Sequence, residues 1–252
     1  MLGRIPRKRL TRPVASGLAL AAAGALTLGG PAAGATGTGA GRPTGSYAIT
    51  FARNSALYRL NPGRHTATLA GFAGVTLTDV AFRGRTLYAI SFTTLYRLST
   101  RTGAAHQIGP LGLSSANALA TQPQTNTLYG ADRQGDLFRV NARTGRSAII
   151  GRFGRGLGSA GDLTFAHGRL YATVDRPGST WSLLATVNIR TGAAKVIGPT
   201  GYQDVYGLLT SKGAIYGATF GGKFLAISPR TGRGRVIWAD GLAIGGLAAP
   251  TP

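Results

Sequence analysis

Short apolar runs alternate with polar residues along most of the chain, and glycines interrupt them at regular intervals. Runs such as Leu95–Leu98 and Leu137–Val140 are each followed, a few residues later, by a Thr-Gly pair and then by a second short run of alternating character. A period of two with glycine between the runs is typical of strands joined by tight hairpins. No apolar stripe of helical period is evident, so the pattern predicts an all-β fold.

The same hairpin is written five times. If Leu60, Leu98, Val140, Val187 and Ile227 are equivalent, the steps between copies are 38, 42, 47 and 40 residues. A hairpin loop needs a residue at positive φ, which glycine adopts without steric cost, and the candidates are Gly63, Gly103, Gly145, Gly192 and Gly232. A sequence that repeats at this period is typical of a stack or ring of equal units.

A second hairpin precedes each copy from the second one on, as in "TDVAFRGRTLYAIS" from Thr78, so each repeat supplies four strands. Four strands per repeat of this length predict a β-propeller blade. The run Tyr47–Phe51 lacks a strand before it, and Ile244–Ala249 has none after it. We therefore predict a five-bladed propeller of four-stranded antiparallel blades, in which the C-terminal strand completes the N-terminal blade. A β-sandwich is the alternative, but it does not explain the period.

The N-terminus follows a different pattern. Five basic residues and no acid precede an apolar run from Val14 to Gly30, and small residues follow up to Ala35. This order predicts a secretory signal peptide over residues 1–35, and a membrane anchor is the alternative, although the run is shorter than the roughly 20 residues a spanning helix needs. Residues 36–45 predict a flexible linker and residues 46–252 the propeller. We expect a secreted or cell-wall-associated monomer with no transmembrane span after signal cleavage.

The repeats resemble those of secreted bacterial propellers of the YVTN and quinoprotein-like group. The resemblance rests on "LYRL" followed by "TG" and "IG", as in Leu95–Gly109, and it extends from Ser46 to the C-terminus. It implies a propeller fold rather than an activity. No blade has a Trp-Asp pair, and the tryptophan expected in quinone-binding repeats is matched only near Trp238. No quinone or other cofactor is therefore expected, with calcium as the one alternative.

Charge is distributed unevenly over the two faces of the predicted ring. All seven acidic residues are Asp, and all fall in or beside connections at the end where inner strands begin, which we call the upper face. Loops on a rigid scaffold carry function, so the upper face is the predicted ligand site. The candidate ligand-binding residues there are Asp79, Asn117, Asp132, Arg133, Asp162, Asp175, Arg176, Trp181, Tyr202, Asp204 and Tyr206.

The opposite end of the ring, the lower face, receives the basic turns. The Arg of the repeated Arg-Thr-Gly turn occurs four times, as Arg101, Arg143, Arg190 and Arg230. The whole chain carries a net charge of +21, and +16 after residues 1–35 are removed. A field of this sign attracts polyanions. We therefore expect a non-catalytic binding module whose partners are anionic cell-wall or surface polymers; sequence-specific nucleic-acid binding is not indicated by any motif.

Two alternatives use the upper face instead. The first is a hydrolase or lyase in which an Asp pair such as Asp79 and Asp162 serves as acid and base. The complete absence of Glu, and the placement of His65, His106 and His167 away from the upper face, argue against it. The second is a calcium site formed by Asp79, Asp162 and Asp204, or a sugar site beside the aromatic candidates.

Overall fold

The computed structural model describes residues 45–250, which form twenty strands. In chain order the first ten are β1 (Ser46–Thr50), β2 (Ala56–Asn61), β3 (Thr66–Phe72), β4 (Asp79–Arg83), β5 (Thr86–Ile90), β6 (Thr94–Leu98), β7 (Ala105–Pro110), β8 (Ala116–Gln122), β9 (Thr127–Asp132) and β10 (Asp136–Val140). The others are β11 (Ser147–Arg152), β12 (Gly158–Ala166), β13 (Arg169–Asp175), β14 (Leu183–Val187), β15 (Ala194–Pro199), β16 (Val205–Ser211), β17 (Ala214–Thr219), β18 (Lys223–Ile227), β19 (Gly234–Ala239) and β20 (Ile244–Ala248). Within this part of the chain, no helix is long and apolar enough to cross a membrane.

The strands form five four-stranded antiparallel sheets, which we number as blades 1 to 5. Blade 1 has the order β20-β1-β2-β3, and blades 2 to 5 take β4–β7, β8–β11, β12–β15 and β16–β19 in sequence. The inner strands β4, β8, β12, β16 and β20 contact one another in a closed ring. The predicted five-bladed all-β propeller is confirmed, and the β-sandwich alternative is wrong. The predicted signal peptide, and all but the last residue of the predicted linker, lie outside the described residues.

The chain ends close the ring as predicted. Strand β20 pairs antiparallel with β1, with Tyr47 opposite Ala248 and Ala48 opposite Leu247. Ile244 and Leu247 are buried, which supplies an apolar driving force for the pairing. This pairing covers the edge of β1 that would otherwise be open to other chains.

One hydrophobic cluster lies at each of the five junctions between blades. The cluster between blades 1 and 2, for example, brings Ile49 and Leu57 against Val80, Phe82 and Leu87. The remaining four junctions carry equivalent clusters. Because every blade packs against a neighbour on both of its faces, the inner strands are buried along almost their whole length. The outer strands are half-buried or exposed at most positions.

The repeated Thr-Gly turn has a function in joining the blades. Gly145 lies at φ 81° in the turn between β10 and β11 of blade 3, and a Cβ there would overlap the backbone of Gly109 in β7 of blade 2. The same backbone contact joins Gly103 to Gly71, Gly192 to Gly151 and Gly232 to Gly198. The final "IG" of one repeat and the "TG" of the next are therefore two halves of one contact.

The junction that closes the ring departs from this rule. The sequence predicted Gly63 at positive φ in blade 1, but the structure places His65 there, at φ 53°. Trp238 replaces the glycine of blade 5, and its ring stacks on Phe224, with centroids 4.1 Å apart, and on His65 at 6.2 Å. Side chains fill this junction because neither partner is a glycine, so the backbones do not make the close contact seen at the other four.

Candidate functional site

Two buried carboxylates lie on the propeller axis and bind all five inner strands. Asp79 accepts hydrogen bonds from the backbone N–H of Val80, at 2.7 Å, and of Leu119, at 2.6 Å. Asp162 accepts them from Leu163, Leu208 and Leu247. These five N–H groups occupy equivalent positions, one on each inner strand. The acidic pair therefore satisfies a complete ring of backbone donors that the propeller geometry directs at its axis.

The space for two carboxyl groups comes from small residues at the other equivalent positions. These positions are occupied by Ala118, Gly207 and Gly246. A Cβ on Gly246 would overlap the Oδ1 of Asp79. The Asp–Ala–Asp–Gly–Gly order around the axis is therefore one packing solution: two carboxyl side chains fill a space that is left free by three small residues.

Neither carboxyl has surface exposed to solvent. The pKa of Asp79 is raised well above its ordinary value, first by burial and then by the charge of Asp162 and a hydrogen bond with it. Burial also raises the pKa of Asp162, against the opposing effect of the hydrogen bonds that it accepts. Two carboxyl groups with raised pKa values, buried in one site, hold protons more tightly than solvent-exposed ones.

Above this pair the axis opens into a pocket on the upper face. The space between its walls, including the part open to solvent, is about 510 Å³. Its lining consists of Phe51, Thr78, Phe92, Asn117, Arg133, Ser159, Ala160, Gly161, Asp175, Tyr206 and Gly245. We call this space the axial pocket. Each inner strand lines the axial pocket with the residue that precedes Asp79 or its equivalent in the other blades. The residues that follow these positions line a separate cavity on the lower side. The Asp pair therefore lies between the axial pocket and the lower cavity.

Breaks in the strand register direct several lining residues into the axial pocket. Asn117 has no cross-strand partner, because Ala116 pairs with Asp132 and Ala118 with Ala131. The register also shifts at Tyr206, at Gly245 and across Ala160–Gly161. Such β-bulges turn side chains out of their normal alternation and are common beside functional sites.

The polar groups of the axial pocket are only partly satisfied by the protein. The Asn117 amide nitrogen donates to the Ser159 carbonyl oxygen at 2.9 Å, whereas Asn117 Oδ1 and Ser159 Oγ are buried and have no hydrogen-bond partner in the described structure. Asn117 and Ser159 are themselves 7% and 5% exposed. Buried polar atoms are almost always paired, so these two atoms are exceptions, and they leave an acceptor oxygen and a hydroxyl available at the wall of the axial pocket.

Charged groups lie at the mouth of the axial pocket. Part of Asp175 remains exposed, but burial of its carboxyl raises its pKa, and Asp204 adds to this shift while Ser182 and Arg133 oppose it. The Tyr206 hydroxyl donates to Asp204 at 3.0 Å. Burial and this hydrogen bond raise the pKa of Tyr206 to about 12, so it stays protonated at neutral pH.

The structure therefore divides the sequence-predicted candidates into groups. Asn117, Arg133, Asp175 and Tyr206 line the axial pocket, and Asp204 lies behind Tyr206. The pair Asp79 and Asp162 lies beneath its floor. Asp132 accepts from the backbone N–H groups of Gln134 and Asp136, which is turn stabilisation. Arg176 and Trp181 are exposed in the β13–β14 loop, and Tyr202 packs near Lys223 of blade 5.

Sequence reasoning missed Phe51, Thr78, Ser159 and Gly245 as lining residues. The strand pattern nevertheless places each of them at or beside the upper end of an innermost or second strand. Phe92 lies in a predicted upper loop but was not chosen as a binding residue. Within the described residues, no group of three or more acidic or His side chains could hold a metal ion. The Asp79, Asp162 and Asp204 set considered for calcium does not converge on one point.

On the lower face, Arg101, Arg143, Arg190 and Arg230 are exposed in equivalent turns of blades 2 to 5. A shallow depression on blade 4 is lined by three cationic side chains, Arg169, Arg190 and Lys195, and by no acidic one. Its opening faces solvent at the lower ends of β13 and β15. This arrangement concentrates positive charge at one end of the blade.

The fold and the axial pocket define the chain as a β-propeller repeat protein. A chain in the crystal structure of a nidogen/laminin complex is similar to it, with a TM-score of 0.55 and 13% identity, and the match covers 82% of this chain and 100% of that one. A structural genomics protein of unknown function from Bacteroides thetaiotaomicron matches with a TM-score of 0.49 and 16% identity over 69% of this chain and 53% of that one. At these identities the likeness concerns the fold alone. No protein-family model and no curated protein matches the sequence.

Proposed function

We propose that the chain is a non-catalytic binding module that takes a small polar ligand into the axial pocket. The observation that carries this proposal is the pair of buried, unpartnered atoms, Asn117 Oδ1 and Ser159 Oγ, in a wall formed by β-bulges. Leaving a buried polar group unpaired costs about 1–3 kcal/mol, and a ligand that pairs with it recovers that free energy. The Asp pair does not serve as an acid and base in this proposal, because its oxygens accept backbone N–H groups and have no exposed surface.

The test uses the Ser159→Ala variant, which removes an unpartnered hydroxyl and therefore no internal hydrogen bond. A panel of phenylalanine, phenethylamine, 3-phenylpropionate and glucose is titrated calorimetrically into the full chain and into this variant. We expect at least one probe to bind, and to bind about three- to tenfold more weakly to Ser159→Ala. Gln203→Leu, at an exposed position of the upper face outside the pocket, is the control and retains full affinity. If Ser159→Ala binds every probe as tightly as the wild type does, or if no probe binds the wild type, the proposal is contradicted.

We further propose that the lower face binds anionic polymers of a cell wall or surface. Support comes from the acid-free depression around Arg169, Arg190 and Lys195 and from the net charge of +16 that the chain carries once residues 1–35 are removed. Charges of this kind are screened over about 10 Å at 0.1 M salt, so binding should be strongly salt dependent. Retention on an immobilised polyphosphate matrix is measured between about 50 and 500 mM salt.

The matched variants separate the lower face from net charge alone. The quadruple Gln variant of Arg101, Arg143, Arg190 and Arg230 should elute at clearly lower salt than the wild type. The quadruple Gln variant of Arg53, Arg155, Arg176 and Lys223 removes the same charge from exposed positions elsewhere and should elute near the wild type. If both elute together, the attraction is a property of net charge and not of the lower face.

We also propose that the chain is exported, on the basis of the basic, apolar and small-residue order of residues 1–35. Expression in a secreting host followed by N-terminal sequencing of the extracellular product tests this. Export predicts a product that begins at Thr36. A product that retains Met1 and stays with the cells contradicts it.

A further inference from the structure

We propose that the ligand of the axial pocket is an amphipathic zwitterion of amino-acid size, with an ammonium group, a carboxylate group and an apolar side chain. This inference rests on the proposed function and names the chemical class of the ligand. Its basis is the division of the pocket into a polar wall, contributed by blades 3 to 5, and an aromatic wall, contributed by blades 1 and 2.

Opposite charges face the axial pocket from neighbouring blades. Arg133 follows β9 in blade 3 and Asp175 ends β13 in blade 4, and both line the pocket. Arg133 acts on Asp175 electrostatically, since it opposes the rise in the pKa of Asp175. They do not form an ion pair within 4 Å; in the described part of the chain only Arg152 and Asp136 do so. A ligand with both charges would give Arg133 a negative partner and Asp175 a positive partner at the same time.

The ammonium group fits the acceptor side of the pocket. An ammonium has three donors and no acceptor. Asn117 offers an acceptor oxygen, because its amide nitrogen is already used on the Ser159 carbonyl. Asp175 supplies a carboxylate at the mouth, whereas the Tyr206 hydroxyl is committed to Asp204 and stays protonated. Asn117 Oδ1 and the Asp175 carboxylate are therefore acceptors available to an ammonium group in the pocket.

The carboxylate group fits the Arg133 side, since a guanidinium binds carboxylates through two parallel N–H groups. The remaining electrostatics disfavour a ligand with one charge. An anion would leave Asp175 without a positively charged partner, and a cation would leave Arg133 without a negatively charged one. A zwitterion avoids both penalties because it presents each charge to its complement.

The apolar side chain fits the opposite wall. Phe51 of blade 1 and Phe92 of blade 2 are partly exposed, and their rings meet edge to face with centroids 6.0 Å apart. Edge-to-face aromatic pairs leave a ring face free for a third apolar group.

The experiment compares four probes on the full chain by titration calorimetry at neutral pH: phenylalanine, phenethylamine, 3-phenylpropionate and glucose. Phenethylamine lacks the carboxylate of phenylalanine, and 3-phenylpropionate lacks its ammonium. Each lost charged hydrogen bond should weaken binding about tenfold or more. We expect phenylalanine to bind at least about tenfold more tightly than either analogue.

Two variants assign the charges to residues. In Arg133→Gln, phenylalanine should lose its advantage over phenethylamine, and in Asp175→Asn its advantage over 3-phenylpropionate. Arg176→Gln and Asp240→Asn are the controls, because both residues are exposed on the upper face and neither lines the pocket. Thermal melting checks that each variant folds, and a melting temperature near the wild type is expected because neither residue makes an ion pair.

The outcomes separate this inference from the proposed function. If an analogue with one charge, or glucose, binds as tightly as phenylalanine and is weakened by Ser159→Ala, the pocket is a binding site but the zwitterion assignment is wrong. If phenylalanine binds best but binds Arg133→Gln and Asp175→Asn as tightly as it binds the wild type, the zwitterion assignment is wrong as well. If no probe binds, both proposals fall.

Discussion

Replacing Asp162 by Ala should destabilise the propeller more than any other loss of a single acidic side chain. The carboxylate accepts three backbone N–H groups from three different inner strands: Leu163 at 2.6 Å, Leu208 at 2.5 Å and Leu247 at 3.3 Å. In the Ala variant these donors stay buried on the axis without an acceptor. The two shorter bonds, at about 1–3 kcal/mol for each orphaned donor, set an expected loss of about 2–6 kcal/mol.

That loss is large compared with the stability of a typical domain, which is about 5–15 kcal/mol. Equilibrium unfolding in urea, followed by the fluorescence of Trp181 and Trp238, measures it from the shift in midpoint at constant slope. Asp162→Asn keeps the shape but has one acceptor oxygen instead of two, so it should lose nearly as much. Asp79→Asn should lose less, because Asp79 accepts two backbone N–H groups and Asp162 accepts three.

Asp240→Ala is the matched control. Its carboxylate accepts one backbone N–H, from Leu242, in an exposed connection of the same face. Its loss should stay below about 1 kcal/mol. If Asp162→Ala unfolds at the same urea concentration as Asp240→Ala, the carboxylate pair does not hold the inner strands together and the account of the axis is wrong.

Three further predictions address the pH dependence, the blade junctions and the closure. Because the pKa of Asp79 is higher in the folded protein, its protonation stabilises the fold fully at pH values below the ordinary carboxyl range. The free energy of unfolding should then fall as the pH rises through the raised pKa, by up to about 1.4 kcal/mol per pH unit for each proton. Urea titrations at several pH values should show this slope in the wild type and a flatter one in Asp79→Asn. Gly145→Ala should lower the free energy of unfolding by about 1–3 kcal/mol more than Gly112→Ala does, since both glycines have positive φ but only Gly145 contacts another blade. Equal melting temperatures of the two variants would contradict the blade contact. Deleting residues from Leu242 onward removes β20 and the burial of Ile244 and Leu247, at about 1.5–3 kcal/mol each, so a truncated chain that melts like the full one would contradict the closure.

Much of the architecture was accessible from the sequence because its period is written in residues with distinct local chemistry. The Thr-Gly turn recurs in blades 2 to 5 and a glycine lies in the corresponding turn of blade 1, so the blade count followed from the spacing. The error at Gly63 shows the limit of this reasoning. The blade 1 turn has a glycine two positions early, and only the structure shows that His65 takes the left-handed conformation.

The site was less accessible. Asn117, Arg133, Asp175 and Tyr206 were predicted to lie on the upper face, and they meet at the pocket because the blades bring their upper ends to one axis. The sequence could not separate these residues from Asp132, which stabilises its own turn, or from Asp79 and Asp162, which point into the ring. Ser159 lies near the upper end of an inner strand, but the sequence does not show that its hydroxyl turns into the pocket, since a β-bulge is a property of the pairing between two strands.

The sequence by itself determined the repeat, the number of blades and the strand that closes the ring, because hairpin and blade are stabilised by residues close together in the chain. Only the tertiary structure decided what occupies the axis. Five inner strands separated by about forty residues each direct one N–H group at a common line, and two carboxylates satisfy all five. No short stretch of sequence reveals this contact, since the carboxyl groups become buried and accept these hydrogen bonds only when the ring is closed.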